Sequence, residues 1–173
     1  MIFVSVGTHN EQFNRLLEEI DSLIASGKIK DNVIAQIGYS NYLPRNYHYF
    51  KFTSWQKILN LNRKADVVIT HGGAGNLILA SHFNKIIVAV PRMRRYGEHV
   101  NDHQIQLVRE LEKQRRIIAV YNIKEMSEAI RRAIRKAKNK TKELKFGKRN
   151  EIKEKRIISI VKSYIENIDM QKV

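Results

Sequence analysis

The chain has no cysteine, two prolines and one tryptophan among its 173 residues. Without cysteine there is no disulfide framework and no thiolate metal site, so the fold must rest on an apolar core that a chain of this length is able to bury. No apolar run approaches the roughly 20 residues of a membrane-spanning helix. The first residues lack the basic stretch, apolar core and cleavage site of a signal peptide. Ile2-Phe3-Val4-Ser5-Val6 reads instead as a first strand. A soluble, cytoplasmic chain is expected.

Acidic residues are also scarce: 17 stand against 32 lysines and arginines, a net charge of +15. The excess is uneven. From Arg131 to Arg156 there are thirteen lysines and arginines against three glutamates, which leaves a net of only +5 for the rest. Such a block suits nucleic acid, an anionic membrane or simply a solvated basic face. The aromatic residues gather at Tyr39 to Trp55, away from the charge, and no nucleic-acid module accompanies it. Nucleic acid is therefore not the expected partner.

What the chain does have is a stretch around which the remainder is organised. Val67-Val68-Ile69-Thr70 is a run of strand formers that leads into His71-Gly72-Gly73-Ala74-Gly75-Asn76, followed by the apolar Leu77-Ile78-Leu79-Ala80. A buried strand, a glycine-rich turn and a helix start let the backbone approach a ligand and offer unpaired N–H groups to an anion, phosphate above all. A tight turn without a ligand is the plainer alternative. A second strand–turn–helix unit lies at the start, where Gly7-Thr8-His9-Asn10 precedes helical spacing at Phe13, Leu16, Leu17, Ile20 and Leu23.

Strand runs at 2–6, 33–38, 67–70, 86–90 and 117–120 alternate with helical patterns at 11–25, 54–63, 76–83, 102–113 and 124–138, and 47–52 is a possible further strand. The alternation predicts an α/β fold: a Rossmann-like parallel sheet with helices on both faces. No strand follows Tyr121. Residues 139–149 read as a polar connection, and 151–168 as a last helix whose broad apolar stripe must cover the sheet or meet another chain. The division expected is a domain over 1–138 and a helical extension over 139–173.

The crossover from Pro91 to Gln104 is unusually polar and follows a strand end, where open parallel sheets bind ligands. Arg92, Arg94 and Arg95 could face phosphates. Asn101, Asp102, His103 and Gln104 could pair with hydroxyls, although Asn101 or Asp102 could equally be a helix cap. His99 and His103, with Glu98 and Asp102 beside them, lack a third ligand at a typical spacing, and no metal is expected. There is no GxSxG, HExxH, Walker or GxGxxG motif.

Taken together, Gly7-Thr8, Ile69 to Gly75, and Val90-Pro91-Arg92 with Tyr96 to Gln104 resemble the C-terminal, donor-binding domain of family 28 glycosyltransferases, one half of a GT-B fold. Within that family the stretch is similar to MurG-like enzymes. It is more similar to the split subunits of polysaccharide-biosynthesis enzymes and to the catalytic subunit of the dolichol-linked N-acetylglucosamine transferase. The resemblance covers about residues 1 to 135. It implies a UDP-sugar-dependent, inverting hexosyltransferase that needs no metal or other cofactor. Gly7, Thr8 and the turn His71, Gly72, Gly73, Ala74, Gly75 and Asn76 would hold the diphosphate. Phe52 and Thr53 would meet the uracil, and Arg92, Met93, Glu98, His99, Asn101, Asp102, His103 and Gln104 would complete the donor site, with Asp102, His103 and Gln104 reading the sugar. The catalytic residues stay open, with His9, His71, Arg92 and Arg94 as candidates. Where many relatives carry a ribose-binding Glu, this chain has Leu79. The resemblance further implies a membrane-anchored partner that supplies the acceptor-binding half; a non-catalytic regulatory subunit of such a transferase is the alternative. The chain would then sit at the inner face of the membrane, with Arg131 to Arg156 near anionic lipid.

Overall fold

A computed structural model describes residues 1–145, 159 and 161–163. Six strands form one parallel sheet: β1 (Ile2–Ser5), β2 (Val33–Gln36), β3 (His48–Phe50), β4 (Val67–Thr70), β5 (Ile86–Ala89) and β6 (Ile118–Ala119), in the order β3-β2-β1-β4-β5-β6. The helices are α1 (Asn14–Ala25), α2 (Trp55–Lys64), α3 (Ala74–His82), α4 (His103–Lys113) and α5 (Met126–Lys145). The chain winds outward from β1 to β3, returns to β4 on the other side, and winds out again to β6. The strand order therefore reverses between β1 and β4, and open α/β sheets place a crevice beyond the strand ends at such a point.

Residue alternation along the strands builds two cores. Val4, Val67, Ile69 and Val88 face α1 and α5, whose Leu16, Leu17, Ile20, Ile130 and Ala133 are fully buried against them. Phe3, Val68 and Ile87 face the other way, onto Leu61 of α2, Leu77 of α3 and Leu107, Val108 and Leu111 of α4. This covering of both faces explains why the central strands read as unbroken apolar runs. β3, at the edge, is largely exposed.

Several element limits differ from those the sequence suggests. α1 starts at Asn14 rather than Glu11, because residues 6–13 form the loop that frames the crevice. Ser54 caps α2, its Oγ accepting from the Lys57 N–H. α5 runs to Lys145, so residues 139–145 continue a helix where a connection is expected. Lys and Glu there are good helix formers, and the Thr141 hydroxyl is satisfied by donating Oγ1 to the Ala137 carbonyl. The rest of that connection, and the last helix apart from residues 159 and 161–163, lie outside the described residues. Val161 is fully buried in the core shared by α2, α3 and α4, so at that residue the extension packs on its own domain.

The second half of α5 reaches the opposite end of the sheet from the crevice. Ile134, Ala137 and Thr141 share a small cavity with Ile2 and Val67 at strand starts, and Lys140 donates to the Asn84 carbonyl just before β5. The described part of the basic block, Arg131 to Lys145, thus lies on the side and at the far end of the domain from the glycine turn.

The long loop after β2 is pinned by one buried carboxylate. Asp21 accepts from Tyr42 Oη (2.6 Å), Arg45 N (2.9 Å), Asn46 N (2.8 Å) and Asn46 Nδ2 (3.0 Å). Burial pushes its pKa up, but these bonds outweigh burial and leave it below the ordinary value. A lowered folded-state pKa adds stability at neutral pH that is lost as pH falls below the unfolded value, near 4. Asp21→Asn is expected to lower the unfolding free energy at pH 7 by about 2 kcal/mol, with a smaller difference at pH 3. Urea unfolding at the two pH values checks both.

Candidate functional site

Strand register sets the site. Gln36, Ser5, Thr70, Ala89 and Ala119 lie side by side as the last residues of β2, β1, β4, β5 and β6. The loops that follow β1, β4 and β5 therefore leave the sheet at one level. A polar network crosses this row. Ser5 Oγ donates to Gln36 Oε1 at 2.8 Å, and Asn76 Nδ2 donates to Ser5 Oγ at 2.8 Å and to Thr70 Oγ1 at 3.3 Å. Asn76, expected at the diphosphate, thus spends its side chain on tying the first turn of α3 to β1 and β4. Ser5 and Gln36 escape the sequence reading; their one signal is a polar residue closing an otherwise apolar strand.

His71 completes the network and fills the gap between the two glycine turns. Its Nδ1 lies 3.3 Å from Thr70 Oγ1 and 3.4 Å from the Ser5 carbonyl. A carbonyl only accepts, so Nδ1 carries the proton and Nε2 is the lone-pair nitrogen. Burial, helped by nearby Arg92, drops the His71 pKa to about 4, so the ring is neutral. A Cβ on Gly7 would stand 2.6 Å from His71 Cε1, and one on Gly73 would stand 2.3 Å from His71 Nε2. Gly7 also has φ +78, a conformation costly for other residues. Both turns therefore need glycine to close around the imidazole. Gly72, with φ +82, sits against Val108 of α4.

α3 begins immediately after Gly73, and no side chain caps it. Its first N–H groups, at Ala74, Gly75 and Asn76, face the crevice end of the sheet with the positive end of the helix dipole behind them.

The β5–α4 loop departs most from expectation. The Arg92 side chain has no exposed surface and does not face a ligand. Nη1 donates to the carbonyls of Glu11 (2.8 Å), Gln12 (3.0 Å) and Glu98 (3.0 Å), Nη2 to that of Val6 (2.8 Å), and the guanidinium lies over the Phe13 ring. Burial lowers its pKa to about 10, opposed by Glu98 and Glu11, so it remains a cation. Glu98, likewise buried, is spoken for: its carboxylate accepts from Arg15 Nε and Nη2, both at 2.9 Å, and from Met93 N at 3.0 Å. Arg15 on α1 gives no hint of this in sequence. Arg92, Met93 and Glu98 are hence buried internal braces and not surface groups: four Arg92 bonds and the Glu98 carboxylate go to the chain, and Arg92 Nε is buried without a partner.

Other expected residues do stand at the surface of this edge. Arg94, Arg95, Thr8 and Asp102 are exposed, and Asp102 Oδ1 accepts from Arg94 N at 3.0 Å. His103 opens α4, its N–H donating to Asn101 Oδ1, so of the two candidate caps Asn101 makes that bond. Gln104 commits Oε1 to Arg92 N at 3.1 Å. His9 and His99 stack across the two loops with centroids 4.6 Å apart, and His9 pairs with Glu11. Burial first, then His9 and Arg92, lower the His99 pKa. After β3, Phe52 meets Tyr39 edge to face at 4.9 Å, and Phe52 and Trp55 stay 46% and 64% exposed. Leu79 is buried among α2, α3 and α4 and offers no group to a ribose. Among the described residues, no three His, Cys, Asp or Glu side chains converge as metal ligands.

The sequence matches the glycosyltransferase family 28 C-terminal domain over residues 1–163. The chain belongs to that family, and its sheet is the Rossmann-like half of a GT-B fold. No curated protein matches it. Among solved structures, it is similar to the glycotransferase of kitacinnamycin (TM-score 0.61, 17% identity), over 99% of this chain and 42% of that one. It is also similar to CalG4, the calicheamicin glycosyltransferase (0.57, 14%; 94% and 39%), and to the glycosyltransferase SnogD from Streptomyces nogalater (0.57, 16%; 95% and 39%). The chain thus spans about two-fifths of the length of these structures.

Two tests follow from the His71 packing. Gly73→Ala is expected to destabilise the domain by about 1–3 kcal/mol, and by clearly less in a His71→Ala background, where the clash is relieved. Denaturant unfolding of the four proteins of the cycle gives the coupling. A histidine pKa lowered in the folded state means stability present above the unfolded value, near 6.5, and lost as pH falls toward 4. His71→Gln should flatten that decline, on the order of 2 kcal/mol, in unfolding curves between pH 7 and 4.5.

Proposed function

We propose that this domain is the donor-binding, catalytic half of a two-component inverting glycosyltransferase. It takes a UDP-sugar and transfers its hexose to an acceptor held by a membrane-anchored partner subunit. The observation that carries the reading is the meeting of the Gly7 turn and the uncapped start of α3 where the strand order reverses, in a chain of family 28. The diphosphate lies on Gly7, Thr8 and the N–H groups from Gly73 to Asn76. The uracil lies by Phe52 and Thr53, with Tyr39 behind. The sugar hydroxyls meet Asp102, His103 and the amide NH₂ of Gln104.

Departure of the nucleoside diphosphate builds negative charge on phosphate. The α3 N-terminus and the exposed Arg94 and Arg95 stabilise that charge without a metal ion. The buried, neutral His71 serves as packing between the turns. His9, beside Glu11, is a candidate base at this edge, while the base that inversion requires can also come from the partner. In this reading the partner closes over the edge that carries Arg94, Tyr96 and Val100. The basic face of α5 contacts anionic lipid, worth roughly 1 kcal/mol per well-placed Lys or Arg. Nucleic acid is the competing polyanion for that face, favoured by charge alone.

Calorimetric titration of the chain with UDP, without metal, should show saturable micromolar binding that Gly73→Trp abolishes. A mixed oligonucleotide should bind weakly and lose its hold as salt rises. Silence toward UDP together with salt-resistant oligonucleotide binding would overturn the assignment. Efficient transfer by the isolated chain would remove the need for a partner.

A further inference from the structure

Arg92 stands where a phosphate-binding arginine is expected, yet it touches only the chain. Its four acceptors are uncharged backbone carbonyls drawn from two loops: β1–α1 (Val6, Glu11 and Gln12) and β5–α4 (Glu98). The nearest carboxylate, Glu98, gives its oxygens to Arg15 and Met93 N instead. Arg92 and Arg15 thus share the buried Glu98 carboxylate, and the charge of Glu11 also acts on Arg92. Keeping a guanidinium away from water is expensive, and at this position it acts on two things at once.

The first is the Val6–Gly7 peptide. It is trans, since none of the described peptide bonds is cis, so its N–H points opposite to its C=O. Arg92 Nη2 fixes the C=O, and by doing so fixes the direction of the Gly7 N–H. The second is the spacing of the two loops, set by the Nη1 bonds to Glu11, Gln12 and Glu98. The Arg92 backbone N–H also holds Gln104 Oε1, which sets that side chain at the head of α4.

We propose that Arg92 is a positioning residue. By gripping the Val6 carbonyl it aims the Gly7 N–H at the donor's diphosphate, and by spanning the two loops it sets the diphosphate turn and the sugar-reading end of α4 to one another before ligand arrives. This rests on the donor-site reading above. Arg92 lends direction to the anion site through the Val6 carbonyl.

The test is a residue-resolved amide NMR titration of the whole chain with inorganic pyrophosphate and with UDP. It compares wild type with Arg92→Lys and with Arg15→Lys, the same exchange at a neighbour that does not hold Val6. In wild type the Gly7 amide should move together with those of Ala74, Gly75 and Asn76. Arg92→Lys keeps the charge but loses the fork. Its pyrophosphate affinity should fall about tenfold, and its Gly7 amide should stop responding while the α3 amides still respond. Arg15→Lys should keep the Gly7 response. An unchanged Gly7 response in Arg92→Lys, or equal loss in both variants, overturns the proposal. If Arg92→Lys does not fold, the wild-type titration still decides. A motionless Gly7 beside responding α3 amides refutes the role of Arg92 and leaves the donor site standing, whereas silence in both loops removes the donor site itself.

Discussion

A guanidinium without water must find its partners inside the protein, and at the crevice end of this sheet Nη1 and Nη2 of Arg92 find four carbonyls while Nε finds none. Val6, Glu11, Gln12 and Glu98 come from segments far apart in sequence, and the Arg92 side chain is where they meet. Phe13 supports it from below, and the Arg15–Glu98 pair closes the side. The loops of an open parallel sheet have no ladder bonds to hold them, so their backbone groups need partners of another kind. Here side chains supply them: Arg92 between the outer loops, Asp21 under the loop after β2, and Asn76 across the strand ends.

His71 is the complement of that arrangement. Where Arg92 draws loops together, the imidazole keeps two turns apart at a fixed distance, and glycine at positions 7 and 73 is the condition for it to fit. Both devices produce a preformed crevice, which reduces the ordering that ligand binding must accomplish. Leaving α3 uncapped fits the same picture, because a protein acceptor at that end would occupy the N–H groups an anion needs.

Much of the fold was legible because it follows from short-range pattern. Four consecutive β-branched residues before a glycine turn mark β4, and the alternation of strand and helix marks a parallel sheet covered on both faces. The edge strand β3 showed weakly since it is half exposed and three residues long. The site was legible by position and less so by role. Arg92, Arg94 and Arg95 look alike in a polar loop, and nothing local marks the first for the interior and the other two for solvent. That choice depends on carbonyls some eighty residues earlier, which no periodicity records. Arg15, Ser5 and Gln36 were hidden for the same reason. The continuation of α5 past Ala137 was obscured by its own charge, since lysine-rich sequence reads equally as helix surface or as linker.

The burial of Leu79 bears on chemical discrimination. In the proposed donor site, a carboxylate on the second turn of α3 could bond the hydroxyls of a ribose, which the buried Leu79 cannot. Seen from that helix, a ribonucleotide and its 2′-deoxy counterpart are the same molecule. If the domain takes the proposed nucleotide-sugar donor, any preference between uridine- and thymidine-type donors must then come from contacts other than the Leu79 side chain.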